Sequence, residues 1–437
     1  MTRNDLPHSA VRALLLLTDA FPYEVGEEFL EQEIEDLCAA YDHVVVVPLR
    51  QRPNARRTRC LPTNATCALL PTPRGPKIMT FWQSQAVLRA PRILISRPRM
   101  IQTAPWTSFG RFGMDIRFAA ITLSAYARLR RLWPSLGLDD ADHVTVYSYW
   151  FFTGAVLGGM LRRRELAGKP VHVVARAHAY DVDEKDAPRG YIPGRNLVMA
   201  SVDRVYPISD YAANFLLRRF PDQAERIKVR RLGVPPAPFR QRRITTPFAL
   251  VSCSHMAPYK RVGLLVEAVA ELERRGRKVA WTHIGEFDHA RLNIMRARAV
   301  QLLTTTSWTF TGHLSNVQVR EYYATQDYSC FLNVSDGEGV PVSVMEAQAA
   351  GLPVVATAAG GTGEIVLDGV NGRLIPVNTT AAEIADAIES IMDTGSRDYA
   401  DMSAQARSTW ASMSDATRQY PQFVDGLVAL EGEPPRD

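Results

Sequence analysis

The stretch "SDGEGVPVSVMEAQAAG", residues 335–351, decides how this chain is interpreted, because it places two carboxylates in a segment that otherwise looks buried. Glu338 and Glu346 are separated by a glycine, a proline and small apolar residues. The apolar run before them predicts a strand, "DGEG" predicts a turn, and the remainder predicts a helix with Pro341 in its first turn and Gly351 at its end. We therefore expect Glu338 on a strand-to-helix loop and Glu346 within the helix.

The same alternation of short apolar runs and amphipathic stretches extends along most of the chain. The apolar runs are bounded by Gly, Pro, Asn and Ser, which predicts strands that are covered on both faces. The predicted strands are 13–17, 43–48, 144–148, 171–178, 204–209, 248–254, 279–285, 308–314, 328–335 and 352–358. Helical spacing between them predicts a doubly wound α/β architecture, in which ligands bind at the carboxyl ends of parallel strands.

A stretch rich in proline and arginine, "GVPPAPFRQRRITTPFAL", predicts a domain boundary near residue 242. A length of 437 residues suits two domains. We expect an N-terminal Rossmann-like domain over 1–242, a C-terminal one over 243–415, and a helix and tail over 416–437. The site is then expected in the cleft where two such domains face each other.

The composition excludes several classes of protein. Hydrophobic residues make up 46% of the chain and charged residues 22%, as in ordinary globular proteins, and a net charge of +5 does not indicate nucleic-acid binding. Five scattered cysteines without a CxxC or Cys/His cluster predict neither a zinc site nor a disulfide framework, and they favour the reducing cytoplasm. The apolar run at 11–22 is too short to span a bilayer and predicts a first strand.

Residues 71–135 depart from this pattern, because they carry eleven lysines and arginines against a single acid, Asp115, with aromatic residues interleaved. Two interpretations stay open. Basic helices with aromatic edges suit peripheral contact with an anionic membrane surface. Alternatively, the segment is a solvated basic helical insertion that packs its aromatic side chains into the first domain. No nucleic-acid recognition motif accompanies the charge.

The predicted strand-to-helix loop suits an anion. Free amides at a helix N-terminus bind phosphates, and the loop offers those of Gly339, Val340, Val342 and Ser343. Beside a bound diphosphate, Glu338 would accept hydrogen bonds from hydroxyls and Glu346 from a ribose. The alternative is that both acids are present only because the helix dipole favours them.

The same stretch resembles the E-x7-E signature of the GT4 family of retaining glycosyltransferases, which have the GT-B fold. Further blocks resemble this family in the family's order: "TDAFPYEVGEEFLEQEI", "RAHAYDVD", "YPISDYAANFLLRRFP", "VRRLGV", "SCSHMAPYKRVGLLVEAV", "WTHIGEFD" and "FTGHLSN". The form of the first block is similar to that of bacterial members associated with polysaccharides. The resemblance covers most of the chain except residues 71–135 and the tail, and it implies that the C-terminal helix crosses back to the first domain.

The resemblance implies roles for individual residues on the donor side. Glu338 would contact the donor sugar, Glu346 the ribose, and Lys260 the diphosphate. His255 stands where many members have an arginine, and the sequence leaves open whether His255 or Arg261 supports the phosphates. The other donor-binding positions are Gly26, Gly312, His313, Gly339, Val340 and Val342.

On the acceptor side, the resemblance places His178 near the reacting centre, with Asp181 close enough to orient it. Arg176 and Ser209 are expected to line the same cleft. A lone histidine at a strand end is otherwise a structural hydrogen-bonding group, so its catalytic role here is an implication of the resemblance.

The function implied is retaining transfer of a sugar from a nucleoside-diphosphate sugar, with uridine or guanosine as the base, to an acceptor hydroxyl. The acceptor is expected in exopolysaccharide, capsule or lipid-linked glycan synthesis, either in the cytoplasm or at the inner face of the membrane. No metal and no cofactor beyond the donor is expected. The alternatives are another GT-B enzyme, such as an epimerase or a phosphorylase, and a non-catalytic scaffold that binds a membrane or polyanion through residues 71–135.

Overall fold

The computed structural model describes residues 10–23, 26–50, 56–71, 100–104, 106–185, 187–239, 241–286 and 288–435. The chain forms two compact units. Unit 1 comprises the residues up to 208, 212–230 and those from 420 onward, and unit 2 comprises 209–211 and 231–419. The chain therefore leaves unit 1, forms unit 2 and returns to unit 1 at Tyr420.

Unit 1 is built on a six-stranded sheet in the order β3-β2-β1-β4-β5-β6, and all of its strand pairs are parallel. The strands are β1 Arg12–Thr18, β2 His43–Pro48, β3 Ala65–Cys67, β4 His143–Ser148, β5 Val171–Ala177 and β6 Arg204–Pro207. The helices up to the change of unit are α1 Leu30–Ala40, α2 Phe109–Leu132, α3 Thr153–Arg162, α4 Arg195–Ser201 and α5 Asp210–Arg219.

Successive side chains of the central strands enter two different cores in unit 1. Leu15 and Leu17 join one apolar cluster, whereas Leu14 and Leu16 join another that includes Phe423 from the returning C-terminal segment. Because side chains alternate across a strand, an unbroken apolar run is required when both faces of the sheet are covered. The run "ALLLL" meets that requirement.

Unit 2 repeats the architecture with the strand order β12-β11-β10-β7-β8-β9, again with parallel pairs. The strands are β7 Phe248–Cys253, β8 Val279–Ile284, β9 Ser307–Phe310, β10 Cys330–Asn333, β11 Val354–Thr357 and β12 Gly372–Ile375. The helices are α6 Val262–Arg274, α7 His289–Leu302, α8 Asn316–Thr325, α9 Val342–Ala349, α10 Ala381–Met392 and α11 Ser396–Met413. Helix α12 Ala416–Leu430 begins in unit 2 and belongs to unit 1 from Tyr420 onward. The predicted α/β class with two doubly wound parallel sheets is confirmed.

The two units change over between residues 230 and 231, upstream of the boundary that the sequence placed near residue 242. The intervening segment is bonded to unit 2. Val234 donates its amide to the carbonyl of Ser414 (2.8 Å), and the buried guanidinium of Arg242 donates to the carbonyls of Ala350 and Gln326, both at 2.9 Å. Proline and arginine marked this connection in the sequence, but they did not indicate to which side it would bind.

Part of the basic segment 71–135 lies outside the described residues, because the description excludes 72–99 and 105. Helix α2 within it buries Phe118 and Tyr126 in the core of unit 1, whereas Trp106 and Phe109 near its start are 88% and 81% exposed. Asp115 is buried and accepts hydrogen bonds from the amides of residues 102 and 103. Among the described residues, no helix is long and apolar enough to cross a membrane.

Candidate functional site

The carboxyl end of the unit 2 sheet brings Lys260 and Glu338 together. Strand β10 ends at Asn333, and the chain then turns through Glu338 before α9 begins; Lys260 closes a short 3-10 turn after β7. Because β7 and β10 are adjacent parallel strands, their following loops meet at one edge of the sheet. Lys260 Nζ lies 2.6 Å from Glu338 Oε1, and the two side chains are 13% and 8% exposed.

Arg261 holds these two loops together. Its guanidinium donates to three backbone carbonyls, those of Val334, Ser335 and Val377, at 2.5, 3.2 and 2.6 Å respectively. The amide of Asp336 also donates to the carbonyl of Tyr259 (2.9 Å). The loops are thus joined through backbone groups without the ion pair, and the donors of Arg261 are engaged with the protein itself.

Two glycines that the sequence analysis overlooked fix the backbone of the Glu338 loop from the other side. A Cβ on Gly360 would lie 1.7 Å from the carbonyl oxygen of Glu338, and Gly360 has φ +55°. The amide of Gly361 donates to the carbonyl of Gly339 (2.7 Å). Only glycine allows this approach, so the pair "GG" directly after a predicted strand was the available signal.

Helix α9 begins at Val342 with Pro341 as its N-cap, and its C-terminal end is followed by Gly351 at φ +75°. The amide of Val344 donates to the carbonyl of Pro341 (3.1 Å), so the helical bonding pattern starts there. The amides of Val342 and Ser343 belong to the first turn, where a helix leaves its donors unpaired. This helix end follows directly on the loop that carries Glu338, which suits an anionic group.

Glu346 lies within α9 and is 5% exposed. Its Oε1 is 3.5 Å from Arg320 Nη1 on α8. Burial raises the pKa of Glu346 to about 7, although the Arg320 guanidinium acts in the opposite direction. Arg320 was absent from the sequence predictions, because its partner lies on a different helix and no local spacing links the two.

His255 lies beside the pair, with Nε2 3.4 Å from the hydroxyl of Tyr259 and the two ring centroids 5.8 Å apart. Partial burial and the neighbouring Lys260 lower the pKa of His255. Both effects disfavour a positive charge on this ring. The guanidinium of Arg261 is hydrogen-bonded to backbone carbonyls that hold the loops. Lys260 makes no such bond among the described residues, so it is the cation that is available for an anionic ligand.

The loops after β8 and β9 are also joined closely. The amide of Gly285 donates to the carbonyl of Gly312 (2.8 Å), and both glycines have positive φ. His313 next to them is exposed. The donor-binding role of Gly312 and His313 stays a prediction.

In unit 1, the loop after β1 is organised by a carboxylate. Glu27 accepts hydrogen bonds from the amides of residues 19–21 and from Trp150 Nε1, all between 2.7 and 2.8 Å. Gly26 beside it has φ +107°, and a Cβ there would meet nothing within 4 Å. Gly26 is thus required by its backbone conformation and faces open space. The sequence analysis missed Glu27, which reads as one acid among several in "VGEEFLEQEI".

His178 follows β5 and is 7% exposed. Its ring packs against Tyr149 and Trp150, with centroids 4.9 and 4.4 Å away. Neither ring nitrogen has a hydrogen-bond partner within the described part of the chain. Asp181 accepts from the amide of His178 (2.6 Å) and from that of Phe151 (2.8 Å), and its Oδ2 is 3.8 Å from Nδ1. The carboxylate therefore holds the turn, and the ring nitrogens stay unpaired.

Arg176 differs from expectation, because its side chain is 0% exposed and cannot line a cleft in this structure. It donates to Glu33 Oε2 at 2.6 and 3.1 Å, to the Tyr147 hydroxyl (2.9 Å) and to the carbonyl of Arg230 (2.8 Å), and it stacks on Phe423. An arginine in the interior of a parallel sheet requires such a full set of partners.

Ser209 was also expected to line the cleft, but the residue is 0% exposed. Within the described chain, no group of three or more His, Cys, Asp or Glu side chains is arranged to hold a metal ion. The residues that the structure brings together are therefore Lys260, Glu338 and the start of α9 in unit 2, and His178 with the aromatic residues and loop of β1 in unit 1.

Residues 236–409 match the family described as "Glycosyl transferases group 1". The chain is similar to the amylovoran biosynthesis glycosyltransferase AmsK of Erwinia amylovora, with 27% identity over 361 residues that cover 78% of this chain and 82% of AmsK. It is also similar to the WcaL glycosyltransferase of Salmonella typhimurium, which is named for colanic acid biosynthesis. That identity is 26%, over 52% of this chain and 57% of WcaL.

Solved structures share the fold over nearly the whole chain. HepE of Anabaena, crystallised with UDP and glucose, superimposes with a TM-score of 0.60 at 16% identity and covers 95% of this chain and 99% of HepE. Sucrose-phosphate synthase of Thermosynechococcus elongatus gives a TM-score of 0.66 at 16% identity, with coverage of 96% and 99%. At such identities the likeness establishes the two-domain fold of these enzymes.

Proposed function

We propose that this chain is a glycosyltransferase of the GT-B fold and the GT4-like bacterial polysaccharide type. It transfers a sugar from a nucleoside-diphosphate sugar to an acceptor hydroxyl with retention of anomeric configuration. The observation that carries the proposal is the Lys260–Glu338 pair at the carboxyl end of the unit 2 sheet, inside the residues that match the family. A cation and a carboxylate placed side by side at a helix N-terminus suit a sugar diphosphate, because one matches the phosphates and the other the hydroxyls.

The donor side is assigned to unit 2. Lys260 and the first amides of α9 neutralise the diphosphate, on which negative charge develops as the glycosidic bond breaks. Glu338 accepts hydrogen bonds from the sugar hydroxyls. Glu346 accepts from the ribose, with Arg320 supporting its charge. HepE, crystallised with UDP, is the precedent for a uridine nucleotide, and guanosine remains the alternative base.

The acceptor side is assigned to unit 1, where His178 offers two buried ring nitrogens that have no partner among the described residues. A buried group of this kind orients the acceptor hydroxyl, while the leaving phosphate helps to take its proton. In the proposed mechanism, the leaving phosphate and the acceptor hydroxyl occupy the same face of the sugar, so the protein contributes positioning and electrostatics and no covalent intermediate is needed.

The first experiment is a thermal-shift screen of the purified chain against UDP, GDP, TDP and their common sugars, repeated with Glu346→Ala and Lys260→Ala. A ligand that binds the native state raises the melting temperature according to its concentration relative to Kd. We expect one nucleotide to stabilise the wild type and neither variant. If no nucleotide stabilises the wild type at millimolar concentration, the proposed donor site is wrong.

Retention is tested on the product of the reaction, and metal independence is tested by the rate of turnover. We expect NMR of the freshly formed glycosidic bond to show the anomeric configuration of the donor, and turnover to persist in EDTA, since Lys260 and the helix amides carry the charge. Inversion of the anomeric centre, or loss of turnover that Mg²⁺ or Mn²⁺ restores, would contradict these two parts of the proposal separately.

We further assign peripheral contact with an anionic membrane surface to the start of α2. Trp106 and Phe109 are 88% and 81% exposed, and the exposed Arg111 and Arg117 lie on the same helix. Aromatic residues insert at the interface while arginines attract anionic headgroups. The assignment suits an enzyme whose acceptor is linked to a lipid.

Flotation with vesicles tests this contact. We expect the chain to float with phosphatidylcholine–phosphatidylglycerol vesicles but not with phosphatidylcholine alone, and Trp106→Ser with Phe109→Ser to abolish flotation. The matched control removes two comparably exposed apolar residues of unit 2, Ile294 and Val300, which are 61% and 67% exposed. Equal flotation of both double variants would rule out the assigned surface.

A further inference from the structure

Two anionic groups compete for the single positive charge of Lys260, namely the carboxylate of Glu338 and the diphosphate of the proposed donor. The ammonium of Lys260 is bonded to Glu338 at 2.6 Å, whereas the proposed donor requires it at the diphosphate. Within the described residues, no other cation is bonded to Glu338; Asn333 Nδ2 is its one further side-chain partner, at 3.4 Å. The charge of Lys260 is therefore shared between a carboxylate of the protein and the anion of the ligand.

The neighbouring cations do not relieve this competition. Arg261 is held by three backbone carbonyls, and Arg320 faces Glu346. Partial burial and Lys260 lower the pKa of His255, so its charged form is disfavoured. A diphosphate that enters this group therefore competes with Glu338 for the positive charge of Lys260.

The ion pair is also not what holds the two loops together. Arg261 joins the loop after β10 to the turn after β7, and Asp336 N bonds Tyr259 O at 2.9 Å. Gly360 and Gly361 fix the backbone of Glu338 and Gly339 independently. Exchange of partners by Lys260 can therefore occur without opening the loops.

We propose that Glu338 makes the site discriminate between the sugar-bearing donor and the nucleoside diphosphate product, by competing with the diphosphate for Lys260 whenever no sugar is bound. When the donor binds, sugar hydroxyls donate to Glu338 in place of Lys260, which then serves the phosphates. When the sugar has been transferred, Glu338 has lost those donors and recaptures Lys260, which weakens the hold on the product. This inference rests on the donor site proposed above and assigns to Glu338 a second role, in product release.

The test measures binding by calorimetry for wild type, Glu338→Gln, Lys260→Met and a matched control, Asp336→Asn. Inorganic pyrophosphate serves as a probe that needs no knowledge of the base, and UDP, GDP and UDP-glucose follow. Asp336 is an exposed acid two positions from Glu338 in the same loop, so the control removes a similar charge without removing the partner of Lys260.

We expect Glu338→Gln to bind pyrophosphate and the matching nucleoside diphosphate about tenfold more tightly than wild type, which corresponds to about 1.4 kcal/mol. Asp336→Asn should change the affinity less than threefold, an effect of general charge alone. We expect the wild type to bind the sugar nucleotide more tightly than the free nucleotide, and we expect this difference in affinity to disappear in Glu338→Gln.

The outcomes separate the two proposals. Suppose that Lys260→Met weakens the binding of pyrophosphate, but that Glu338→Gln binds it no more tightly than Asp336→Asn does. The proposed competition between Glu338 and the diphosphate is then wrong, and the proposed donor site stands. If pyrophosphate and nucleotides bind neither wild type nor Glu338→Gln at millimolar concentration, the donor site and the competition are both wrong.

Discussion

Two ion pairs of similar geometry, one in each unit, have different surroundings. Arg176 and Glu33 in unit 1 approach to 2.6 Å with both side chains 0% exposed, and Lys260 and Glu338 in unit 2 approach to 2.6 Å at 13% and 8% exposure. In unit 1 both carboxylate oxygens are bonded, because Tyr147 donates to the second one at 2.7 Å. In unit 2, the described contacts engage only Oε1 of Glu338.

The number of bonds distinguishes a structural pair from a functional one better than the distance does. Every nitrogen of the Arg176 guanidinium has an acceptor, and the ring of Phe423 lies 4.0 Å from its centre. The Arg176 side chain is 0% exposed, so it is not accessible to a ligand. The Lys260 ammonium has three donors, and the described residues give it one hydrogen-bond acceptor. A ligand can accept hydrogen bonds from the remaining N–H donors of Lys260 at this edge of the sheet.

The largest effect is expected from neutralising the carboxylate of each pair in turn. Glu33→Gln leaves a fully buried guanidinium without a counter-charge, so the free energy of unfolding should fall by about 3–5 kcal/mol. Glu338→Gln should cost about 1 kcal/mol or less, because Lys260 has a flexible stem that reaches water. Urea denaturation followed by circular dichroism measures both.

A double replacement separates charge from packing in this comparison. Glu33→Leu combined with Arg176→Met removes both buried charges, and it should recover most of the stability lost in Glu33→Gln. If Glu33→Gln and Glu338→Gln lower the free energy of unfolding equally, the number of hydrogen bonds does not distinguish the structural pair from the functional one.

The second effect concerns Glu346, which is 5% exposed and has its cation at 3.5 Å. Its folded pKa of about 7 lies above the ordinary 4.5, so the folded chain binds a proton that the unfolded chain releases between these values. This contribution to stability is present below about pH 4.5 and is lost as the pH rises through 7. Over that range the wild type should lose about 3 kcal/mol relative to Glu346→Gln.

The measurement is the difference in unfolding free energy between wild type and Glu346→Gln at a series of pH values from 5 to 8.5. Arg320, Cys253 and Tyr323 are the other ionisable groups around Glu346, and burial raises the pKa of the thiol to about 12, so neither it nor the phenol ionises in this range. A difference in unfolding free energy that stays constant with pH would show that Arg320 keeps the carboxylate ionised. Glu346 would then resemble Glu33, which is paired with Arg176.

Most of the difference between the two ion pairs could not be predicted from the sequence. Apolar runs predicted ten strands because each central strand is covered on both faces, but β3 and β12 are short edge strands without such a run. The order of blocks and the E-x7-E spacing singled out Lys260 and Glu338, and the structure places these two side chains in contact. Arg176 was misplaced because the sequence shows an arginine at a strand end and does not show Glu33, 143 positions away, at its side.

The third effect tests Lys260 as the cation of the donor site. Lys260→Met keeps the apolar stem and removes the charge, and it should weaken nucleoside-diphosphate binding about thirtyfold, which corresponds to about 2 kcal/mol. Arg261→Met should instead lower stability, because its guanidinium serves backbone carbonyls. Calorimetric titration and thermal melting of both variants separate the two roles. Loss of affinity in Arg261→Met at unchanged stability would reverse the assignment.

The smallest effect is expected at His178, which combines features of both pairs. The ring is as buried as a structural group, yet neither of its nitrogens is bonded within the described residues. Buried polar atoms without partners cost stability, so replacing the ring by an apolar one of similar shape that still packs on Tyr149 and Trp150 should stabilise unit 1. We expect His178→Phe to raise the unfolding free energy by about 1 kcal/mol and to abolish sugar transfer while nucleotide affinity is kept. A variant that is both less stable and active would instead mean that the ring nitrogens serve the fold, and His178 would then join Arg176 as a structural group.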